Sequence, residues 1–142
     1  MDLQTILNEF KQEVANLYGS RLKQVVLYGS YARGEADDEN SDIDLAIVLG
    51  GKVAPGQEID KMIDIVTEIN LKYNVLISIY PVSEEDYKSI NSPLLLNLRK
   101  EGVVLKSRLS QKLQRIKNKQ CKSVLICVEK LKTNLVYRRF AF

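Results

Sequence analysis

The sequence predicts an α/β (α+β) fold in which a small mixed β-sheet carries packed helices, and three observations lead there. Short β-branched or aromatic runs at 25–28, 42–49 and 75–80 have the length and composition of buried strands. Longer stretches between and around them repeat apolar residues with the period of amphipathic helices. The order helix, strand, strand, helix, strand, helices then makes a mixed sheet the layer that the helices cover. With 142 residues, 45% of them hydrophobic and 27% charged, the chain has the size and composition of one globular core.

Leu3, Ile6, Leu7, Phe10, Val14 and Leu17 share one helical face, with Asp2 placed to cap its start and Gly19 to stop it. Residues 25–28, VVLY, follow as a strand ending at Gly29. The segment from Ser30 to Ser41 is polar and acidic and reads as a loop, whose tip, Asp37, Asp38 and Glu39, is expected to be solvated. A second strand over 42–49 is stopped by Gly50 and Gly51. Pro55 and Gly56 mark a turn, after which Ile59, Met62, Ile63, Val66 and Ile69 predict a second amphipathic helix reaching Tyr73. The third strand, 75–80, is expected to end at Pro81. Ser83 with Asp86 three residues on resembles a capping box, and Ser92 before Pro93 sets up a further helix running to Gly102. Residues 103–105 suit a last strand or an extended end.

Composition divides the chain near Leu105. Residues 1–99 carry a net charge of −7 and residues 100–142 one of +10, so the reading is a domain over 1–105 followed by a basic helical tail over 106–142. The tail's apolar stripes, Leu109, Leu113 and Ile116, then Val124, Val128, Leu131 and Leu135, need a surface to cover them. That surface can be the acidic body, a partner, or a second copy in a homo-oligomer. Alternatively the basic residues can bind nucleic acid through its phosphates, although no nucleic-acid motif accompanies them. No apolar run reaches the roughly 20 residues of a membrane span, and the N-terminus lacks the layout of a signal peptide. The expectation is a cytoplasmic protein without membrane association. Cys121 and Cys127 match neither a zinc motif nor a disulfide framework.

Histidine is absent, which excludes Ser-His-Asp and Cys-His catalysis and histidine-ligated zinc. Chemistry must then run on carboxylates, hydroxyls, amines and metal. Asp42 and Asp44 alternate by two, so on a strand both leave one face, about 7 Å apart at the backbone. Like charges this close repel unless a divalent cation lies between them. Hard oxygen ligands suit Mg2+, which takes one or two carboxylates and completes its shell with water and substrate phosphates. Gly29 and Ser30, at the end of the preceding strand, supply the complement: a backbone that can approach phosphate closely and a hydroxyl donor. Arg33, three residues on, can bring positive charge to the same polyphosphate.

Together, Gly29-Ser30, the Tyr31-Ala32-Arg33-Gly34 that follows, and Ser41-Asp42-Ile43-Asp44 resemble the nucleotidyltransferase superfamily of DNA polymerase beta, specifically its small stand-alone members, the minimal nucleotidyltransferases (MNT). The element order over 1–105 is similar to theirs as well. This resemblance implies the nucleotidyltransferase fold and transfer of a nucleoside monophosphate from ATP or another NTP to a hydroxyl acceptor, with loss of pyrophosphate. It implies Asp42 and Asp44 as the catalytic residues that ligate Mg2+, and Gly29 and Ser30 as nucleotide-binding residues, to which the charge and spacing above add Arg33. The partner it implies is a HEPN-family ribonuclease toxin, one of whose tyrosines would receive AMP, with this chain as the antitoxin.

Two features depart from the family pattern. The spacer between Ser30 and Asp42 is one residue longer than in many small members. Family enzymes also usually carry a third carboxylate on the next core strand, whereas NVLISIYPV, residues 74–82, contains no acid and has only Ser78 as a polar side chain in its middle. Glu84, Glu85 and Asp86 beyond it suit the first turn of a helix. The second departure favours an alternative reading, a catalytically weak or inactive module of the same fold that acts by complex formation with a partner protein.

Overall fold

Leucine, alanine, isoleucine and valine fill the strand Ile43–Leu49 (β2) after its second residue, and its position accounts for that apolar composition. In the computed structural model, which describes residues 2–37 and 39–106, β2 lies inside a four-stranded sheet. The strand Leu22–Tyr28 (β1) pairs antiparallel with β2 on one side, and Ile77–Ser83 (β3) pairs parallel with it on the other. The two-residue strand Val103–Val104 (β4) joins the free side of β1, giving the order β3-β2-β1-β4. A strand covered on both faces cannot show polar alternation.

The two faces are covered by different helices. Ile43, Leu45, Ile47 and Leu49 pack with Ile6, Phe10 and Val14 of the helix Leu3–Tyr18 (α1) and with Met62, Val66 and Ile69 of the helix Pro55–Tyr73 (α3). Ala46 and Val48 point the other way, joining Val26, Val82 and Leu95 and Leu98 of the helix Pro93–Glu101 (α5). Asp44 has the parity of Ala46 and Val48 and so belongs to this second face.

Local signals act where the sequence places them. Asp2 accepts a hydrogen bond from the Gln4 amide at 3.1 Å, Ser83 from that of Asp86 at 3.0 Å, and Ser92 from that of Leu95 at 3.3 Å. Ser83 thereby starts the short helix Glu84–Ser89 (α4). Each such cap contributes about 1 kcal/mol. Of residues 103–105, Val103 and Val104 form the last strand, and just beyond it the Leu105 amide donates to the Val25 carbonyl at 2.9 Å.

Several boundaries differ from expectation. Gly29–Arg33 forms a one-turn helix (α2), closed by Gly34 in the left-handed conformation, where the sequence suggested only loop. Pro55 and Gly56 are the first residues of α3 rather than a turn before it, because proline at the first helical position gives up no hydrogen bond. β1 begins three residues earlier than expected, β2 one residue later. β3 starts at Ile77 and continues through Pro81 to Ser83, which an edge strand permits because its outward amides bond no neighbour. Leu17 and Ile63, assigned to core faces, are about half exposed, at 43% and 48%. Of the expected tail over 106–142, residues 107–142, with both cysteines, lie outside the described residues, as does Asp38. Among the described residues no helix is long and apolar enough to cross a membrane.

Candidate functional site

The chain leaves β1 at Tyr28, turns through Gly29 at φ +72°, and enters α2 directly. That backbone conformation favours glycine, and the space beside it demands glycine: an added Cβ would collide with the Asp44 carboxylate. The opening amides of α2 receive no side-chain cap, which leaves N–H groups at the strand-to-helix turn without a side-chain acceptor. Ser30 is the second residue of this turn, and its carbonyl accepts from the Glu35 amide at 2.9 Å, holding the loop that follows.

Sheet register assembles the rest. Tyr28 is the antiparallel partner of Asp44, and Ser78 is its parallel partner, so Tyr28, Asp44 and Ser78 form one row across three strands on one face. Asp42 immediately precedes β2, and its charge is felt at Asp44. The Asp44 carboxyl is pushed above the usual aspartate range by burial first and by the Asp42 charge second, with Arg33 opposing both. Burial likewise pushes the Tyr28 phenol up, aided by the charge of Asp44 and by Tyr80.

Arg33 closes α2. Its Nε donates to Glu35 at 2.7 Å and its guanidinium lies 3.9 Å from Glu101 at the end of α5. These exposed pairs hold the cation within electrostatic reach of Asp44. The candidate residues therefore gather at one end of the sheet, where β1 finishes and β2 begins. Tyr28 and the acids that hold Arg33 did not emerge from the sequence. Tyr28 carried a usable signal, since it shares the parity of Val26 and adjoins Gly29.

An acidic pair of this kind fits a divalent cation. The donors are hard oxygens, their mutual repulsion is what a cation relieves, and Gly29 keeps the adjoining space clear of side chain. Asp42 and Asp44 would hold the ion. Among the described residues no group of three or more cysteine, aspartate or glutamate side chains is placed to bind metal. Glu84, Glu85 and Asp86 stand at the opposite end of β3, where they form the first turn of α4, and Glu84 pairs with Lys88 at 2.7 Å. An open concavity lined by Gly51, Lys52, Val53 and Ser83 lies at that far end too, about 20 Å from Asp44 by strand length.

Comparison with known proteins bears on the chain as a whole. The family profile described as a nucleotidyltransferase domain matches residues 7–120. A Methanocaldococcus jannaschii protein, provisionally named a protein adenylyltransferase, is 40% identical over 106 residues, covering 74% of this chain and 99% of its own. A second protein of that organism under the same name is 38% identical over 78 residues, covering 55% of this chain and 77% of its own. Among solved structures, one from Sulfolobus solfataricus, provisionally described as a nucleotidyltransferase, is similar at a TM-score of 0.52 and 20% identity, covering 75% of this chain and 81% of its own. A chain from a crystal structure of a toxin-antitoxin with AMP-PNP is similar at a TM-score of 0.51 and 15% identity, covering 95% of this chain and 98% of its own. At these identities the structural similarity is one of fold.

Proposed function

This chain belongs to the nucleotidyltransferase domain family, and from that premise we propose that it is a Mg2+-dependent protein adenylyltransferase, moving AMP from ATP to a tyrosine hydroxyl on a HEPN-family partner. The observation that carries the proposal is the apposition of Gly29 and Asp44, which sets a phosphate-accessible backbone beside a carboxylate. The names of the two archaeal relatives support a protein acceptor and an adenylyl donor. The AMP-PNP in the toxin-antitoxin structure of similar fold supports ATP and a toxin partner.

Each residue has a part in the transfer. The Gly29 turn and the opening amides of α2 receive terminal phosphate oxygens, Ser30 donates its hydroxyl to them, and Arg33 supplies positive charge. Asp42 and Asp44 would hold the cation, which when bound would neutralise phosphate charge and stabilise the departing pyrophosphate. The acceptor oxygen bonds to the α-phosphorus as the bond to the β-phosphate oxygen breaks, and the acceptor proton passes to solvent. A phenol, with a pKa of about 10, gives up that proton far more readily than an aliphatic alcohol. This favours tyrosine in a site where Ser78, rather than an acid, adjoins Asp44.

That same serine favours a second reading, in which the fold binds its partner and transfers little. Incubating the chain with ATP labelled at the α-phosphate, Mg2+ and the protein encoded beside it separates the two. Label on the partner supports transfer, and a stable unlabelled complex supports the binding module. Labelling undiminished in an Asp42→Asn, Asp44→Asn double variant would refute the metal assignment.

A further inference from the structure

The face that carries Asp44 is poor in acid. Ser78 is the parallel partner of Asp44 and its residue is exposed. Neighbouring strands stand about 4.8 Å apart, so side chains at 44 and 78 open into the same space. On the other side of Asp44 stands Tyr28, which brings no carboxylate to the row. Arg33 adds positive charge, and the two acids beside it, Glu35 and Glu101, are engaged with its guanidinium.

Two divalent ions in one centre stand about 3.5–4 Å apart and depend on surrounding carboxylates to offset their mutual repulsion. Among the described residues Asp42 and Asp44, partly offset by Arg33, offer little protein charge for a second ion. Resting on the metal assignment above, we propose that Ser78 sets the metal count of this site: with a hydroxyl there Asp42 and Asp44 hold one divalent cation beside the nucleotide, and a carboxylate there creates a place for a second. Ser78 is thereby the position that separates a one-ion from a two-ion centre on this sheet. A one-ion centre leaves the acceptor hydroxyl without a metal to activate it, which restricts transfer to acceptors that are already acidic.

The test counts Mn2+ on the full chain in the presence of a non-hydrolysable ATP analogue, by calorimetry and by the electron paramagnetic resonance of free Mn2+. One ion per protein–nucleotide complex is expected for the wild type and for Ser78→Asn, and two for Ser78→Asp, with the second ion at least tenfold tighter than any second ion on the wild type. Two tight ions on the wild type, or one on a folded Ser78→Asp protein, overturn the proposal. Should Ser78→Asp fail to fold, the wild-type count decides alone, one ion supporting the proposal and two ending it. The Asp42→Asn, Asp44→Asn variant separates the two levels of failure. If it binds the Mn2+–analogue pair as tightly as wild type, the metal assignment itself is wrong. If it loses that binding while Ser78→Asp gains no ion, only the role of Ser78 falls.

Discussion

The Asp44 carboxylate fills the space where a side chain on Gly29 would begin: its Cγ lies 3.3 Å from that Cβ position, and its Oδ2 lies nearer still. Glycine at 29 is therefore a condition for the acid at 44 to face the turn. Gly29→Ala combines an unfavourable left-handed backbone, on the order of 1 kcal/mol, with displacement of Asp44. The expected outcome is a fall in melting temperature of about 5 °C and loss of AMP transfer by at least a hundredfold. Thermal melting together with label transfer checks it. A variant that retains full transfer would show that Asp44 does not need its present position.

Asp44 is held in an ionised state that the fold does not favour. Its carboxyl is raised above the ordinary aspartate value of 3.8 by burial and by Asp42. A raised carboxyl pKa means that the folded state binds the proton more tightly than the unfolded state, so the contribution of Asp44 to stability declines as pH rises through that range. At pH 7 without metal, Asp44→Asn is expected to melt higher than wild type by a few degrees, on the order of the shift that 1 kcal/mol or less produces. The gap should close below pH 3.8, and adding Mg2+ should narrow it by stabilising only the wild type. Calorimetric melting at both pH values measures this. An apo variant less stable than wild type at neutral pH would contradict the electrostatic account.

Parts of this site were legible in one dimension and parts were not, for identifiable reasons. Gly29, Ser30, Asp42 and Asp44 stand at strand ends, and hydrophobic run length locates strand ends well. Their convergence depends on β1 and β2 pairing as neighbours, and the apposition of Gly29 with Asp44 is a fact of register that spacing alone cannot supply. The turn Gly29–Arg33 was missed because five residues are too few to show helical periodicity. Pro81 suggested a strand end, yet β3 continues through it because β3 is an edge. Ile63 counted as core by its apolar character, while Glu58 on the same helix is buried alongside Met62, Val66 and Ile69. A pattern built from apolar residues passes over a buried acid, whose partners come from distant segments.

Arg33 gives a prediction that separates binding from stability. Its contacts to Glu35 and Glu101 are exposed ion pairs, which contribute little to folding. Removing its charge should leave the fold intact while depriving the polyphosphate of a cation. Arg33→Gln is expected to raise KM for ATP about tenfold, the effect of roughly 1.4 kcal/mol of lost binding, with the melting temperature almost unchanged. Steady-state kinetics and a melting curve on the same preparation test this, and an unaltered KM would remove Arg33 from the nucleotide site.

The far end of the sheet holds a buried acid whose pH behaviour runs opposite to that of Asp44. Glu58 is 3% exposed, accepts from the Tyr18 hydroxyl at 2.8 Å, and lies 3.0 Å from the Arg21 guanidinium and 3.4 Å from Lys61. Burial works against its charge, but the hydrogen bonds from Tyr18 and Arg21 outweigh it and hold the carboxyl below its ordinary value of 4.5. Arg21 in turn donates to the carbonyls of Gly50 at 3.0 Å and Lys52 at 2.6 Å, so the acid anchors a cation that ties down the exit of β2. A depressed carboxyl pKa contributes stability that is fully present above the unfolded value and is lost as pH falls through the folded one. Glu58→Gln should therefore cost about 2 kcal/mol at pH 7, and the difference from wild type should shrink as pH falls below 4.5 and vanish once both states are protonated. Urea unfolding at pH 7 and at pH 3 measures the two limits. Because the cluster stands a strand's length from Asp44, nucleotide affinity of the folded variant should match that of wild type, and a penalty equal at both pH values would show that Glu58 is held by packing rather than by its charge.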